Sequence, residues 1–180
     1  AIAGGHQEWI ICSAFGKAGL LGQAIQAFGD NINRYSDKLK IKVYHSGELV
    51  PGLESLDAVR SGAAQASYGA PYYWTNVSDA IEFVATCPFG MNAMEQNAWC
   101  YYGGGIEEAD KIYNALGLKF LPMGNTGNQM GGWFNKEINT PADYQGLKMR
   151  MPGLGGRTIE KLGATPAVSY THLTLPTTLV

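Results

Sequence analysis

Nothing in the 180 residues approaches the roughly 18 consecutive apolar residues that a membrane-spanning helix needs, which excludes that mode of membrane insertion. Cysteine is scarce. Cys12, Cys87 and Cys100 show no C-x-x-C spacing, and an odd number cannot all pair, so small buried core residues are the expected role. An excess of either charge is also lacking: 13 Lys+Arg against 15 Asp+Glu leave a formal net charge of -2. The basic residues are scattered, which argues against a nucleic-acid surface. His6, His45 and His172 lie far apart, so no zinc site is expected. No Gly-x-Ser-x-Gly elbow and no His-Glu-x-x-His occurs. The triple glycine Gly103–Gly105 is not followed by Gly-Lys-Ser/Thr and lies between two helical patterns, so it reads as a helix break and not a phosphate loop. Gly153, Gly155 and Gly156 would need a further glycine at 158 to form a dinucleotide fingerprint, and Thr158 stands there. No internal repeat or low-complexity segment is visible.

What is present is a hydrophobic fraction of 46%, modest charge and 24 glycines, the composition of a soluble, loop-rich globular protein. The length suits one good-sized core, or one lobe and part of another. The start, Ala1-Ile-Ala-Gly-Gly5, is small, uncharged and without Met; a mature end left by signal-peptide cleavage and a cut fragment look the same here.

Trp9 to Ala14 reads as a buried first strand. Leu20, Leu21, Ala24, Ile25, Ala27, Phe28 and Ile32 recur at helical spacing and predict a helix within Lys17 to Tyr35. Lys38 to Tyr44 alternates strictly, with Leu39, Ile41 and Val43 inward and three lysines outward: a half-covered strand. Gly47–Gly52 turns the chain, Leu53 to Arg60 is a short helix stopped near Gly62, and Gln65 to Gly69 is strand-like. The run is βαβαβ, the pattern of an α/β domain with a largely parallel sheet. Pro71-Tyr-Tyr-Trp74 then puts three aromatics after a strand end, where open α/β sheets bind ligands. Pocket wall and core filler both remain open for them. Cys87–Gly90 is a turn, and Ala93 to Tyr102 and Ile106 to Leu116 read as helices.

The stretch that organises the chain is Lys119 to Phe134, continued by Leu147 to Gly156. Two strand-like runs, Leu118 to Met123 and Leu147 to Met151, each lead to a glycine-rich loop that offers a polar group, Gln129 and Arg150. In Leu147-Lys-Met-Arg-Met151 alternation points Arg150 away from the Leu/Met face, just before Pro152-Gly153. A guanidinium fixed there has a planar fork of donors suited to a carboxylate or phosphate. A surface arginine in an ordinary ion pair is the competing reading. Trp133 is expected in the core. Thr140-Pro-Ala-Asp143 has helix-start chemistry, and Gly155 to Leu162 begins another helix. Asn76-Val-Ser78 fits a glycosylation sequon. From Val168 the sequence has no charge and no clear periodicity, and reads as a non-native tail, a sequencing adapter translated through. Tyr170 and His172 are therefore left out of any site, and the natural protein is expected to continue past Ala167.

At these residues the chain resembles the periplasmic solute-binding proteins of tripartite ATP-independent (TRAP) transporters, in the branch that binds 2-oxo acids and related monocarboxylates. The matching runs are Ser46–Gly52 with Leu56–Val59, Pro88–Ala93 with Gln96–Trp99, Gly124–Gly127 with Gln129–Phe134, and Gly146–Gly156. The resemblance covers roughly Trp9 to Thr165. It implies a two-lobed α/β fold of the periplasmic-binding-protein (type II) kind, with residues 1–122 as first lobe and 123–167 as the start of an incomplete second lobe before the tail at 168–180. It implies capture of a small carboxylate by hinge closure in the periplasm of a Gram-negative bacterium, with delivery to the transporter's membrane subunits and no catalysis. On this resemblance Arg150 pairs with the substrate carboxylate, Gln129 helps hold both substrate and a Na⁺ or Ca²⁺ ion, and Tyr72, Tyr73 and Asn125 complete the candidate binding residues. The remaining cation ligands would lie beyond residue 167, so this chain alone is not expected to hold the ion firmly. The alternatives are a carboxylic-acid-processing enzyme or a periplasmic sensor on a related fold. Against the enzyme, the central stretch offers no general base: Asp143 and Glu137 read as helix-start and surface charges.

Overall fold

The computed structural model describes residues 7–85 and 87–167. The expectations for the first five residues and for the tail from Val168, with His6, Tyr170 and His172, fall outside them. The chain divides into two compact units. One is built from the chain up to Ala70 together with Leu116–Leu118, the other from Pro71–Ala115 and from Lys119 onward.

The first unit is a parallel sheet in the order β2-β1-β3, formed by β1 (Gln7–Ser13), β2 (Leu39–Tyr44) and β3 (Ala66–Tyr68). The central strand carries Ile10-Ile11-Cys12, and both faces of that run are covered, as a central parallel strand requires. Only its second half is buried, however: Gln7 to Trp9 are exposed, so the expectation of a wholly buried first strand is corrected. On one face Ile11, Ile25 and Ile41 form the core, with Ile32, Leu39 and Val43 against it. Ile25 comes from α1 (Leu20–Tyr35), whose Gly29 lets the helix approach the sheet; a Cβ there would stand 3.0 Å from Val43. Each such aliphatic side chain contributes about 1.5–3 kcal/mol by leaving water. The outer edge of β2 is closed by Asn33 of α1, whose amide nitrogen donates to the Ile41 carbonyl at 2.8 Å while its oxygen accepts from the Ile41 N–H at 2.6 Å. On the opposite face Cys12 packs with Ala58 and Ala64. Burial pushes its thiol pKa up, so Cys12 is the inert core residue expected. Ala58 belongs to α2 (Ser55–Arg60), which stops before Gly62 at φ +80°. His45 is also a core residue, its Nε2 3.1 Å from the Gln26 side-chain oxygen.

The second unit opens with two 3-10 helices, Pro71–Trp74 and Asp79–Val84. Two helices follow, α3 (Ala93–Tyr102) and α4 (Gly105–Asn114). Asn92 starts α3 through a reciprocal capping box with Glu95. The triple glycine is the helix break predicted: Gly104 takes φ +85°, and a Cβ on Gly105 would stand 2.7 Å from the Trp99 ring. A second parallel pair closes the unit, β4 (Lys148–Arg150) and β5 (Thr165–Ala167), linked by α5 (Gly153–Glu160). Met149, Ile159 and Ala164 form its core, with Phe134, Tyr144, Leu147 and Met151 against them.

Three expectations change here. Leu118 to Met123 is not a strand: it runs without a ladder partner, and Leu121 is largely exposed. Its apolar content suits a strand, but a strand exists only where another backbone takes up its N–H and C=O groups. Trp133 is 90% exposed, and its neighbour Phe134 reaches the core instead. Thr140 and Asp143 do form a capping box, but it starts only the short turn Pro141–Tyr144. The α/β class with parallel strands stands as predicted.

Candidate functional site

Arg150 is the last residue of β4. Along that strand Lys148 is exposed, Met149 is buried and Arg150 lies between, so the alternation read from the sequence holds. Its register is fixed against Ala167 of β5, and Pro152 ends the strand. The chain then turns through Gly153 at φ +64°, a backbone that glycine adopts without strain.

The turn Pro71–Trp74 comes to this strand end. Its three aromatics differ in burial. Trp74 is 5% exposed and belongs to the core, while Tyr72 and Tyr73 are half-buried beside Arg150. Arg150 Nη2 donates to the Tyr73 hydroxyl at 3.3 Å, and the guanidinium carbon lies 5.9 Å from the Tyr72 ring centroid. The two tyrosine rings meet edge to face with centroids 5.0 Å apart. A cation over an aromatic face gains about 0.5–1 kcal/mol when exposed and more when dry. These contacts orient the guanidinium.

The other two candidates are not joined to this group. Asn125 Oδ1 accepts from the Gly127 N–H at 2.8 Å, an Asx turn that helps Gly127 adopt φ +74°. Gln129 Nε2 donates to Thr126 Oγ1 at 2.7 Å. Both side chains are exposed and both bonds stay within their own loop. Gln129 supplies one neutral amide oxygen toward a cation, whereas Ca²⁺ takes about 6–8 oxygens. Among the described residues no group of three or more His, Cys, Asp or Glu could hold a metal. The described residues do not by themselves make a cation site.

Sequence reasoning missed Glu82. It is 2% exposed, and both its oxygens are used: Oε2 accepts from the Leu154 N–H at 2.7 Å, and Oε1 from Arg157 Nη2 at 2.8 Å. Arg157 also pairs with Asp79 at 3.1 Å. Hydrogen bonds that Arg157 donates to Glu82 first and to Asp79 second push its pKa up. The available signal was one acid inside the apolar run Ala80 to Val84, whose Ile81 and Val84 are buried. Ser78 of the sequon caps the start of that turn, accepting from the Ala80 N–H at 3.3 Å.

Beside α5 lies an open cleft of about 390 Å³ lined by Asn76, Asp79, Arg157 and Glu160 among others. Arg150 and the two tyrosines are not part of its lining, and its two acids disfavour an anion there. Asp143 and Glu137 do what was expected of them. Asp143 accepts from the backbone of Thr140 and Asn139, and Glu137 accepts from Asn139 on the surface.

Residues 15–171 match the family model of the bacterial extracellular solute-binding proteins, family 7. A monocarboxylate 2-oxoacid-binding periplasmic protein of Nostoc sp. is 47% identical over 131 residues, 73% of this chain and 36% of that protein. A TRAP periplasmic solute-binding protein from Pseudoalteromonas atlantica, solved with bound sodium and pyruvate, superposes with a TM-score of 0.87 at 39% identity, covering 92% of this chain and 53% of its own. Another from Colwellia psychrerythraea, solved with calcium and pyruvate, gives 0.85 at 41% identity, covering 90% and 50%. The chain thus spans about half the length of the solved relatives and a smaller share of the Nostoc protein.

Proposed function

This chain belongs to the bacterial extracellular solute-binding proteins, family 7, and we propose that the whole protein captures a 2-oxo acid or related monocarboxylate for a TRAP transporter. The observation that carries the reading is Arg150 at the end of β4, oriented by the Tyr73 hydroxyl and the Tyr72 ring. A small carboxylate leaving water loses strong hydration, and a bidentate guanidinium offsets that loss with two charge-assisted hydrogen bonds. In this reading Arg150 takes the carboxylate, Tyr72 and Tyr73 form one wall, and Gln129 and Asn125 reach the ligand from their loop. The relatives solved with sodium or calcium beside pyruvate support a cation in the whole protein. Of the described residues Gln129 would contribute to it, with the other ligands coming from elsewhere.

The rest of the proposal follows from the same reading. Residues 1–122 make the first lobe and 123–167 begin the second. The setting is the periplasm of a Gram-negative bacterium, the partners are the transporter's membrane subunits, and the acid is bound without being transformed. Among the described residues no helix is long and apolar enough to cross a membrane.

The test is a thermal-shift screen of the full-length gene product against pyruvate, longer 2-oxo acids, lactate and dicarboxylates, each with and without Na⁺ or Ca²⁺. A captured acid at 100 times its Kd stabilises the fold by about 2.7 kcal/mol. One monocarboxylate should raise Tm clearly in the unaltered protein and leave Arg150→Ala unmoved. A flat screen, or turnover of the acid that binds, would overturn the proposal.

A further inference from the structure

We infer that Glu82 is a positioning residue for Arg150: it locks the turn that follows β4 onto the segment that carries Tyr72 and Tyr73. The inference rests on the reading of Arg150 as the carboxylate anchor. It begins with a backbone problem. The first N–H groups of α5 have no partner within the helix, and the residue before it, Pro152, has no side chain able to accept from them. Glu82 does so from 72 residues away, taking the Leu154 N–H at 2.7 Å with one carboxylate oxygen. Its other oxygen holds Arg157, one turn further along the same helix. A carboxylate at a helix start also meets the favourable end of the helix dipole.

The fit around Gly153 shows how closely the two segments are held. A Cβ on Gly153 would collide with Glu82 Oε2 and stand 3.2 Å from Tyr72 Cβ. The turn after β4 is therefore gripped by Glu82 and by the backbone end of Tyr72. Three residues earlier, Arg150 touches the ring of Tyr72 and the hydroxyl of Tyr73. Residues 71–84 thus hold the end of β4 at two points, the aromatic pair on the guanidinium and the buried acid on the turn behind it. Without the acid the turn is free to shift, and a shift of one ångström in a binding group is enough to cost much of its energy.

This mechanism requires the reach of the Glu82 side chain more than its charge, because Arg157 keeps Asp79 as a partner. Two variants of the full-length protein separate these. Glu82→Gln keeps an acceptor oxygen at the same reach; Glu82→Asp keeps the charge but falls one methylene short of Leu154. Titration calorimetry with pyruvate should give Glu82→Gln a Kd within about threefold of the unaltered protein, the cost of weakening one hydrogen bond. Glu82→Asp should raise Kd about tenfold or more, the scale expected of a misplaced anchor. Both ligand-free variants should still unfold cooperatively, each with a Tm lowered by the loss of a buried hydrogen bond.

The reverse order, with Asp binding well and Gln poorly, would show that charge matters and position does not. Native affinity in both variants, with binding lost in Arg150→Ala, would overturn this inference and leave the carboxylate reading standing. Failure of both variants to fold without ligand would assign Glu82 to the fold alone and overturn the inference too. Absence of pyruvate binding by the unaltered protein, or its survival in Arg150→Ala, would remove the carboxylate reading and this inference with it.

Discussion

Arg150 reaches the Tyr73 hydroxyl with Nη2 and lies over the Tyr72 ring, contacts that orient its planar fork of donors. Arg150→Lys should therefore be far from conservative. A lysine keeps the charge but loses the fork and the flat surface over Tyr72. Hydrogen bonds to charged groups are worth about 1.5–3 kcal/mol, so Kd for the bound acid should rise roughly 10- to 100-fold by calorimetry. Tyr73→Phe removes the bond from Arg150, already long at 3.3 Å, and that loss should cost under about 1 kcal/mol, less than fivefold in Kd. If Tyr73→Phe proves as damaging as Arg150→Lys, the hydroxyl contacts the acid itself. The place of Arg150 at the end of β4 was readable in advance because strand alternation and the Pro-Gly stop are local signals. The split among the three aromatics was not, since whether a ring meets core or arginine depends on a strand more than 70 residues away. Glu82 was hidden for the same reason: its partners are 72 and 75 residues along the chain.

At the scale of elements, periodicity was a good guide wherever the element completes its own hydrogen bonds. The helices and the triple-glycine break are of this kind. The parallel pairing of β1 with β2 was implied by the intervening helix, because a tight hairpin cannot join parallel strands. The segment 118–123 failed because its apolar content says nothing about whether a partner strand is in place. The turn Pro141–Tyr144 offers a test of local chemistry. Hydrogen bonds from the Thr140 backbone first, then from the Thr140 side chain and the Asn139 backbone, hold the Asp143 pKa below the usual carboxylate range. A depressed folded-state pKa gives stability that is present above the unfolded pKa and lost as pH falls through the folded one. The Tm difference between the unaltered protein and Asp143→Ala should thus be constant from neutral pH down to about pH 5 and shrink below the ordinary aspartate value of about 3.9. A difference that persists unchanged at the acid end would mean that Asp143 acts by packing and not by accepting those bonds.

For the molecule as a whole, each compact unit has its own core and its own exposed apolar side chains. The first buries its sheet on both faces. In the second, one extended segment carries Leu121, Met130 and Trp133 at 75%, 69% and 90% exposure, with Met123 between them at 46%. Large apolar side chains strung along 13 residues without a covering layer form the kind of patch that soluble monomers rarely show. The solved relatives that match this chain are about twice its length, which gives such a patch a physical candidate for its cover: the rest of the same polypeptide. The 180-residue chain expressed alone should then enhance the fluorescence of the dye ANS and self-associate with rising concentration. The full-length gene product should do neither, and its Trp133 should be shielded from iodide quenching. A 180-residue chain that stays monomeric at high concentration, binds no dye and unfolds cooperatively would show that the segment is covered by this chain itself.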